Sequence, residues 1–323
     1  MKALVNHMYG SLNNLTLEDV PKPSIKSDEI LVKIKAVSIN DWDLGMILGR
    51  PFVNRMLAGL FKPKIKILGS DIAGVIEAIG TDVTNFKVGD RVYGDLSNDK
   101  FGGFADYVKT TEKHLCHMAV DMPFDIAAAI PQAGMLAYQS LFDFCVIKDG
   151  MKILINGAGG GVGTYAVQML RNYDVHLTAV DAAVKRDMLL SLGYDAFMDY
   201  KKTDFTEQDE KYDLIIDCKT NRPFKKYAQV LNNDGMYITV GGDMLKVMRI
   251  MLMSKAISKK YGKDFNCVQL STNRNLPEIN KLFEEGKLTS IIDPREFNLT
   301  SSKEAMMYYA SGEHLGKVLI KVE

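Results

Sequence analysis

The sequence predicts an α/β chain of two domains, one β-rich and barrel-like, the other a doubly wound parallel sheet. Three observations predict this class. A glycine-rich run at residues 157–163 separates a short apolar run, residues 152–156, from apolar residues at helical spacing over 164–170. From about residue 123 onward, strand and helix signals alternate, the pattern of a parallel sheet covered by helices. Before that point, many short strands punctuated by glycine imply a barrel.

Length agrees, because 323 residues exceed the size at which a single core usually keeps growing. In chain order, residues 1–7 begin a strand and lack the apolar core of a signal peptide. Residues 30–37, 72–80, 88–94 and 102–108 continue the strand pattern. Helical patterns at 126–130 and 137–142 mark the change of texture. Sheet strands are expected at 153–156, 177–181, 196–198, 214–217 and 236–240, with helices between them. Strand signals return at 316–322, in a segment starting near Asp293 that should rejoin the first domain. The expected partition is therefore 1–122 with 293–323, and 123–292.

Lys+Arg and Asp+Glu number 40 each, so net charge favours neither a nucleic acid nor an anionic surface as partner. No uninterrupted apolar run of about 18 residues occurs, so no membrane span is expected. Cys116, Cys145, Cys218 and Cys267 lie far apart without a C-x-x-C pair, which points to reduced, buried thiols in a cytoplasmic protein.

The glycine run carries the chemistry. Glycines let the backbone turn tightly and approach a pyrophosphate, while the free amides and positive dipole end of the next helix attract its charge. Counted back from Gly163, the dinucleotide fingerprint has Gly160 in its second place and Ala158 where its first glycine should be; Gly161 and Val162 complete the loop. The alternative is a glycine turn with a purely structural task. At the end of the second strand, Asp181 stands where a carboxylate would bond a ribose 2′-hydroxyl and repel a 2′-phosphate, which favours NADH. Val240, Gly241 and Gly242, at a strand's C-terminal end where such sheets bind ligands, and Gly316 with Lys317 in the returning segment are further expected coenzyme contacts. A turn alone is the other reading of those glycines.

Residues 69–74, 88–92, 102–108, 137–139 and 316–318, together with the glycine loop, make the chain resemble the medium-chain dehydrogenase/reductase superfamily, in its zinc-free quinone oxidoreductase-like branch. The resemblance implies a GroES-like catalytic domain, a Rossmann domain and NAD(P)H between them. It places Asn40 beside the nicotinamide and assigns Lys185 and Tyr200 to a 2′-phosphate, with Arg186 adding positive charge. It thus tips the expectation to NADPH, with NADH possible. A homodimer is also expected. Asn40 is equally readable as a helix cap with Asp43 in the first turn. Asp43 and Asp71 are readable as buried carboxylates fixing backbone amides or as proton-transfer groups. The proton comes from water, Tyr107 or Tyr138, and the sequence does not choose among them. Leu136 and the surroundings of Gly45 depart from the branch's usual residues, so the pocket is expected to be reshaped.

Zinc-dependent relatives use thiolate and imidazole ligands, because zinc favours tetrahedral N and S donors. The matching places here hold Asn40, Ser70 with Asp71, and Ala133 with Gly134. His114 and His117 are three residues apart without an evident partner. No metal is therefore expected, and a simple alcohol has nothing to lower its hydroxyl pKa. Hydride transfer to a small, hydrophobic acceptor that is already electrophilic, a quinone or an activated carbon-carbon double bond, is the expected reaction. Reduction of an enoyl thioester and a nicotinamide-binding interaction role with little turnover are the alternatives. The methionine-rich residues 244–257 are read as a helix packed over the active cleft or a dimer partner, as pocket lining, or as a basic amphipathic helix lying on a membrane, and the similarly basic, apolar residues 50–61 are expected to flank the same entrance.

Overall fold

Alternating apolar residues and glycine turns resolve, in a computed structural model describing residues 1–323, into an antiparallel sheet at the start of the chain. Strands β1 (Lys2–Asn6) and β2 (Leu15–Asp19) pair with each other. The long β3 (Glu29–Ser38) pairs with β4 (Asp71–Ile79) and β6 (Tyr107–Thr111), β4 with β5 (Arg91–Asp95), and β5 with β7 (Cys116–His117). The returning strand Leu319–Lys321 completes the sheet beside β3, with Leu319 opposite Ser38. Inward residues Ile30, Val32, Ile34, Val37, Ile72, Val92, Val318 and Ile320 form its core, fully buried. Gly74 is dictated by packing, since a Cβ there would lie 2.3 Å from the Lys33 carbonyl oxygen.

Two compact units divide the chain differently from the expected partition: Met1–Met135 with Ser271–Glu323, and Leu136–Leu270. Helices α1 (Asp41–Leu48) and α2 (Phe52–Ala58) belong to the first unit, and α3 (Phe124–Ala129) packs on β3 and β4 there. The cut falls inside α4 (Pro131–Phe142). Residues beyond 271 stay with the first unit for a visible reason. The Tyr93 hydroxyl donates to Asn280 Oδ1 at 2.7 Å, and the Asn273 side chain brackets the Asp95 backbone at 2.8 and 2.9 Å.

The second unit is a six-stranded parallel sheet of β8 (Lys152–Asn156), β9 (His176–Asp181), β10 (Ala196–Asp199), β11 (Tyr212–Asp217), β12 (Leu231–Thr239) and β13 (Asp264–Cys267). Its order, β10-β9-β8-β11-β12-β13, runs outward in both directions from β8 and β11, so the topological switch point lies between those two strands. The five expected strands form, with ends extended by up to five residues except at the C-terminal end of β12, which stops at Thr239 and leaves Val240 just beyond it. The sixth, β13, escaped the sequence reading because only Phe265 of its four residues is buried. Helices α5 (Gly161–Met169), α6 (Arg186–Leu192), α7 (Phe224–Gln229) and α8 (Met244–Tyr261) complete the unit. The methionine-rich α8 is capped by Asp243, buries only Ile250 and Ile257, and leaves Leu245 81% and Leu252 74% exposed.

Candidate functional site

The functional residues fall in two groups, one in each unit. In the second unit the chain leaves β8 through Gly157, whose φ of +87° suits glycine, and its N–H donates to the Val180 carbonyl at 2.9 Å. The tight turn is thus made one residue earlier than the register counted from Gly163, which is why Ala158, fully buried, can occupy the fingerprint's first place. Gly160 caps α5 and Gly161 starts it. The first-turn amides of Gly161, Val162 and Gly163 have no intrahelical acceptor. Gly163 packs so closely on the loop that a Cβ would lie 2.2 Å from the Ala158 carbonyl oxygen, whereas a Cβ on Gly160 would meet nothing nearer than 3.5 Å. These features fit a pyrophosphate cradle.

Asp181, at the end of β9, turns its carboxylate inward: Oδ2 accepts the Gly159 N–H at 2.8 Å and Oδ1 the Ala182 N–H at 2.8 Å. The Lys185 ammonium stands 3.7 Å from Oδ1, its side chain 6% exposed, and the Tyr200 N–H donates to the Asp181 carbonyl at 3.2 Å. Asp181, Lys185 and Tyr200 are therefore brought together, while Arg186 points outward to Asp187.

The sequence reading missed a network at the switch point. Asp217, the last residue of β11, accepts four hydrogen bonds while buried, from Asn156 Nδ2, Lys219 N and Thr220 N at 2.8 Å and from the Tyr237 hydroxyl at 2.9 Å. The Thr220 hydroxyl donates to the Gly241 carbonyl at 2.6 Å, tying the loop after β11 to the segment Val240, Gly241 and Gly242. Gly242 has φ +111°, and a Cβ there would lie 1.8 Å from the Lys219 carbonyl oxygen, so its glycine is required by the backbone. An acid ending a strand beside the switch point was the available signal.

In the first unit, Asn40 precedes α1 and is 5% exposed. Asp43, wholly buried on that helix, accepts the Asn40 N–H at 3.0 Å and the Gly69 N–H at 3.1 Å, so both its oxygens fix backbone amides. The Asn40 side chain donates from Nδ2 to Ser70 Oγ at 3.1 Å and accepts at Oδ1 from the Lys317 ammonium, which also reaches the Ile39 carbonyl at 3.4 Å and stands 3.9 Å from Asp71 Oδ2. Asp71 Oδ2 accepts the Gln132 N–H at 3.0 Å, while Oδ1 has no hydrogen-bond partner. Asp71 faces Asp95 across the β4–β5 pairing, and both are fully buried. Burial, reinforced by the Asp71 charge, pushes the Asp43 carboxyl up to about 8. Burial raises Asp71 and Asp95 likewise and pushes Lys317 down, against the attraction of Asp71 and Asp43. Tyr107 lies under the Lys22 ammonium, and Tyr138 packs edge-on against Phe142.

The donor set around Asn40 does not fit zinc. It offers an amide, a hydroxyl and one carboxylate, and its centre is taken by a lysine ammonium. No group of three or more His, Cys, Asp and Glu side chains is arranged to hold a metal ion. His114 and His117 do have carboxylate neighbours, Asp99 at 3.3 Å and Asp90 at 3.9 Å, but separate ones. The four cysteines are free thiols, half-buried rather than fully buried as expected, with burial pushing Cys116 up to about 11. No helix is long and apolar enough to cross a membrane.

Comparison with known proteins gives the family. Residues 26–138 match the family model described as alcohol dehydrogenase GroES-like domain, and residues 192–320 the one described as zinc-binding dehydrogenase. A chloroplastic quinone-oxidoreductase QR1 of Triphysaria versicolor is 32% identical over 99% of this chain and 98% of its own. A 2-methylene-furan-3-one reductase of Solanum lycopersicum is 30% identical over 99% of this chain and 79% of its own. The structure of the quinone oxidoreductase from Coxiella burnetii has a TM-score of 0.89 at 25% identity, covering 100% of this chain and 99% of that one. The chain belongs to the medium-chain dehydrogenase/reductase superfamily and is an NAD(P)H-dependent oxidoreductase. Within that superfamily it is a quinone-oxidoreductase-like member, with the GroES-like and parallel-sheet domains expected from its sequence.

Proposed function

We propose that this chain is a zinc-independent reductase that uses NADPH to reduce a quinone or an activated carbon-carbon double bond of a small apolar acceptor, as a cytoplasmic homodimer. The observation that carries the reading is the buried Lys317 ammonium bonded to Asn40, the residue that stands where zinc-dependent relatives are expected to carry a metal ligand. A site with a fixed lysine and no thiolate or imidazole lacks the ligands for a metal ion that would activate a plain alcohol, and it suits an acceptor whose carbonyl already draws electrons. The names of the relatives from Triphysaria and Solanum, a quinone oxidoreductase and a methylene-furanone reductase, describe acceptors of that kind.

When bound, the reduced coenzyme supplies the hydride. The first-turn amides of α5 neutralise its pyrophosphate, Lys185 and Tyr200 hold the 2′-phosphate, and Asn40 orients the reacting pair. Binding of a 2′-phosphate would draw Lys185 from its 3.7 Å contact with Asp181, whose carboxylate is already engaged by two loop amides. That engagement leaves Asp181 less able to select NADH. The test is oxidation of NADPH and of NADH followed across a panel of quinones, enals and enones. Turnover with at least one conjugated acceptor, faster with NADPH, is expected; tight coenzyme binding without turnover of any acceptor would overturn the reading.

A further inference from the structure

Addition of hydride to a conjugated acceptor pushes an electron pair onto its carbonyl oxygen, and a proton from solvent then completes the reduced product. The negative charge that develops on oxygen needs a positive partner, a role that metal ions fill in many enzymes. In the first unit, one buried cation stands in line with the residue assigned to the reacting pair. Lysine carries three donors and no acceptor, so the atom of Asn40 that meets the Lys317 ammonium must be the carbonyl Oδ1. The amide is thereby fixed with Nδ2 toward Ser70, whose Oγ accepts at 3.1 Å. Having accepted, the Ser70 hydroxyl is left to donate its own proton onward. Ammonium, amide and hydroxyl thus form a series whose hydrogen bonds all run in one direction, an arrangement in which each bond polarises the next.

The backbone holds this series rigidly. Gly316 has φ +59°, and a Cβ there would lie 2.1 Å from the Ile291 carbonyl oxygen. The Lys317 N–H donates to that same carbonyl at 2.9 Å, and its own carbonyl accepts the Asp293 N–H at 2.8 Å. The lysine is 4% exposed, Asn40 5% and Ser70 not at all, so the charge acts through little intervening water.

We propose that Lys317 supplies the fixed positive charge of the site and acts on the developing oxyanion in series through the Asn40 amide and the Ser70 hydroxyl. Lys317 is in this sense a positioning and polarising residue rather than a coenzyme contact. The inference rests on the reading of Asn40 as the residue beside the reacting pair.

Lys317→Met removes the charge at similar volume, and its effect should depend on the acceptor. A weakly activated enone needs help at its oxygen, while a strongly oxidising quinone needs less. The expected result is a loss in kcat/KM of about tenfold to a hundredfold with the enone and severalfold at most with the quinone, at unchanged NADPH affinity. Lys317→Met combined with Asn40→Ala should be no slower than Asn40→Ala alone, because the lysine acts through the amide. Ser70→Ala, a small truncation that leaves the lysine and amide in place, should reproduce the acceptor-dependent loss if Lys317→Met does not fold. Equal losses with both acceptors, additive losses in the double variant, a fall in NADPH affinity matching the loss of rate, or a wild-type profile in Ser70→Ala would each overturn the proposal. Failure of the wild-type protein to reduce any acceptor would instead overturn the functional reading beneath it.

Discussion

Two glycines of one loop should fail in different ways. Gly163→Ala would place a methyl carbon 2.2 Å from the Ala158 carbonyl oxygen, 2.5 Å from its Cα and 2.6 Å from its carbonyl carbon, all backbone atoms. Ordinary contact begins at 3.4 Å, so the start of α5 must retreat by about 1 Å. No soft neighbour absorbs this, because Ala158, Tyr165 and Ala166 are fully buried. Overpacking of this kind costs about 1–3 kcal/mol, which for a unit of this size lowers its unfolding midpoint by about 3–9 °C. Displacing the helix amides by about 1 Å should also weaken NADPH binding by about tenfold to a hundredfold, the cost of one lost hydrogen bond to a charged group. Gly160→Ala is the contrast. Its φ of −88° and ψ of 179° suit any residue, and its nearest neighbour would be 3.5 Å away, so the fold should be unaffected. Its methyl would nevertheless stand before the helix N-terminus, and coenzyme affinity should fall about tenfold or more. Calorimetric scanning and titration with NADPH separate the two effects. A Gly163→Ala protein that unfolds with the wild type, or a Gly160→Ala protein that binds NADPH as the wild type does, would refute the assignment of this loop as the pyrophosphate cradle.

The remaining predictions concern charges. Asp43 is pushed up to about 8, so the folded state keeps a proton that the unfolded chain releases from about pH 4 upward; stability from this group declines over that window and is gone above about pH 8. Asp71 and Asp95 act with the same sign and Lys317, pushed down, opposes them at higher pH, so the urea midpoint should be lower near about pH 9 than near about pH 6, with Asp43→Asn flattening the difference; a flat wild-type profile would count against it. Lys185→Ala should raise KM for NADPH by about tenfold or more and KM for NADH little, and equal effects would refute the 2′-phosphate assignment. Asp217→Ala removes the acceptor of three buried donors and one part-buried donor and should cost at least about 3 kcal/mol in urea unfolding; a loss below about 1 kcal/mol would show the network to be dispensable.

Most of the fold was legible because its signals are local. The run Ile153-Leu154-Ile155 is wholly buried and reads as a parallel strand, and the glycines after it can only mean a tight chain reversal. What stayed hidden depends on distant pairing. Strand β13 has a single buried side chain and exists because β12 lies beside it. Residues 271–292 look in sequence like a continuation of the sheet domain, yet they group with the first unit, and only the hydrogen bonds of Asn273 and Asn280 reveal their attachment to β5 and its neighbours. At the site, Asn40, Asp43 and Lys317 were each singled out, yet nothing in a sequence places residue 317 against residue 40. The fingerprint's alanine was likewise resolved only by the positive φ of Gly157.

A reaction that runs without a metal can be put to a plain test: turnover of a conjugated enone and of a quinone by protein dialysed exhaustively against a chelator, with bound metal quantified on the same sample. Undiminished NADPH oxidation at substoichiometric metal is the predicted result. Activity that disappears with the chelator and returns with one equivalent of zinc would contradict the assignment of the Lys317 ammonium as the positive charge of the site.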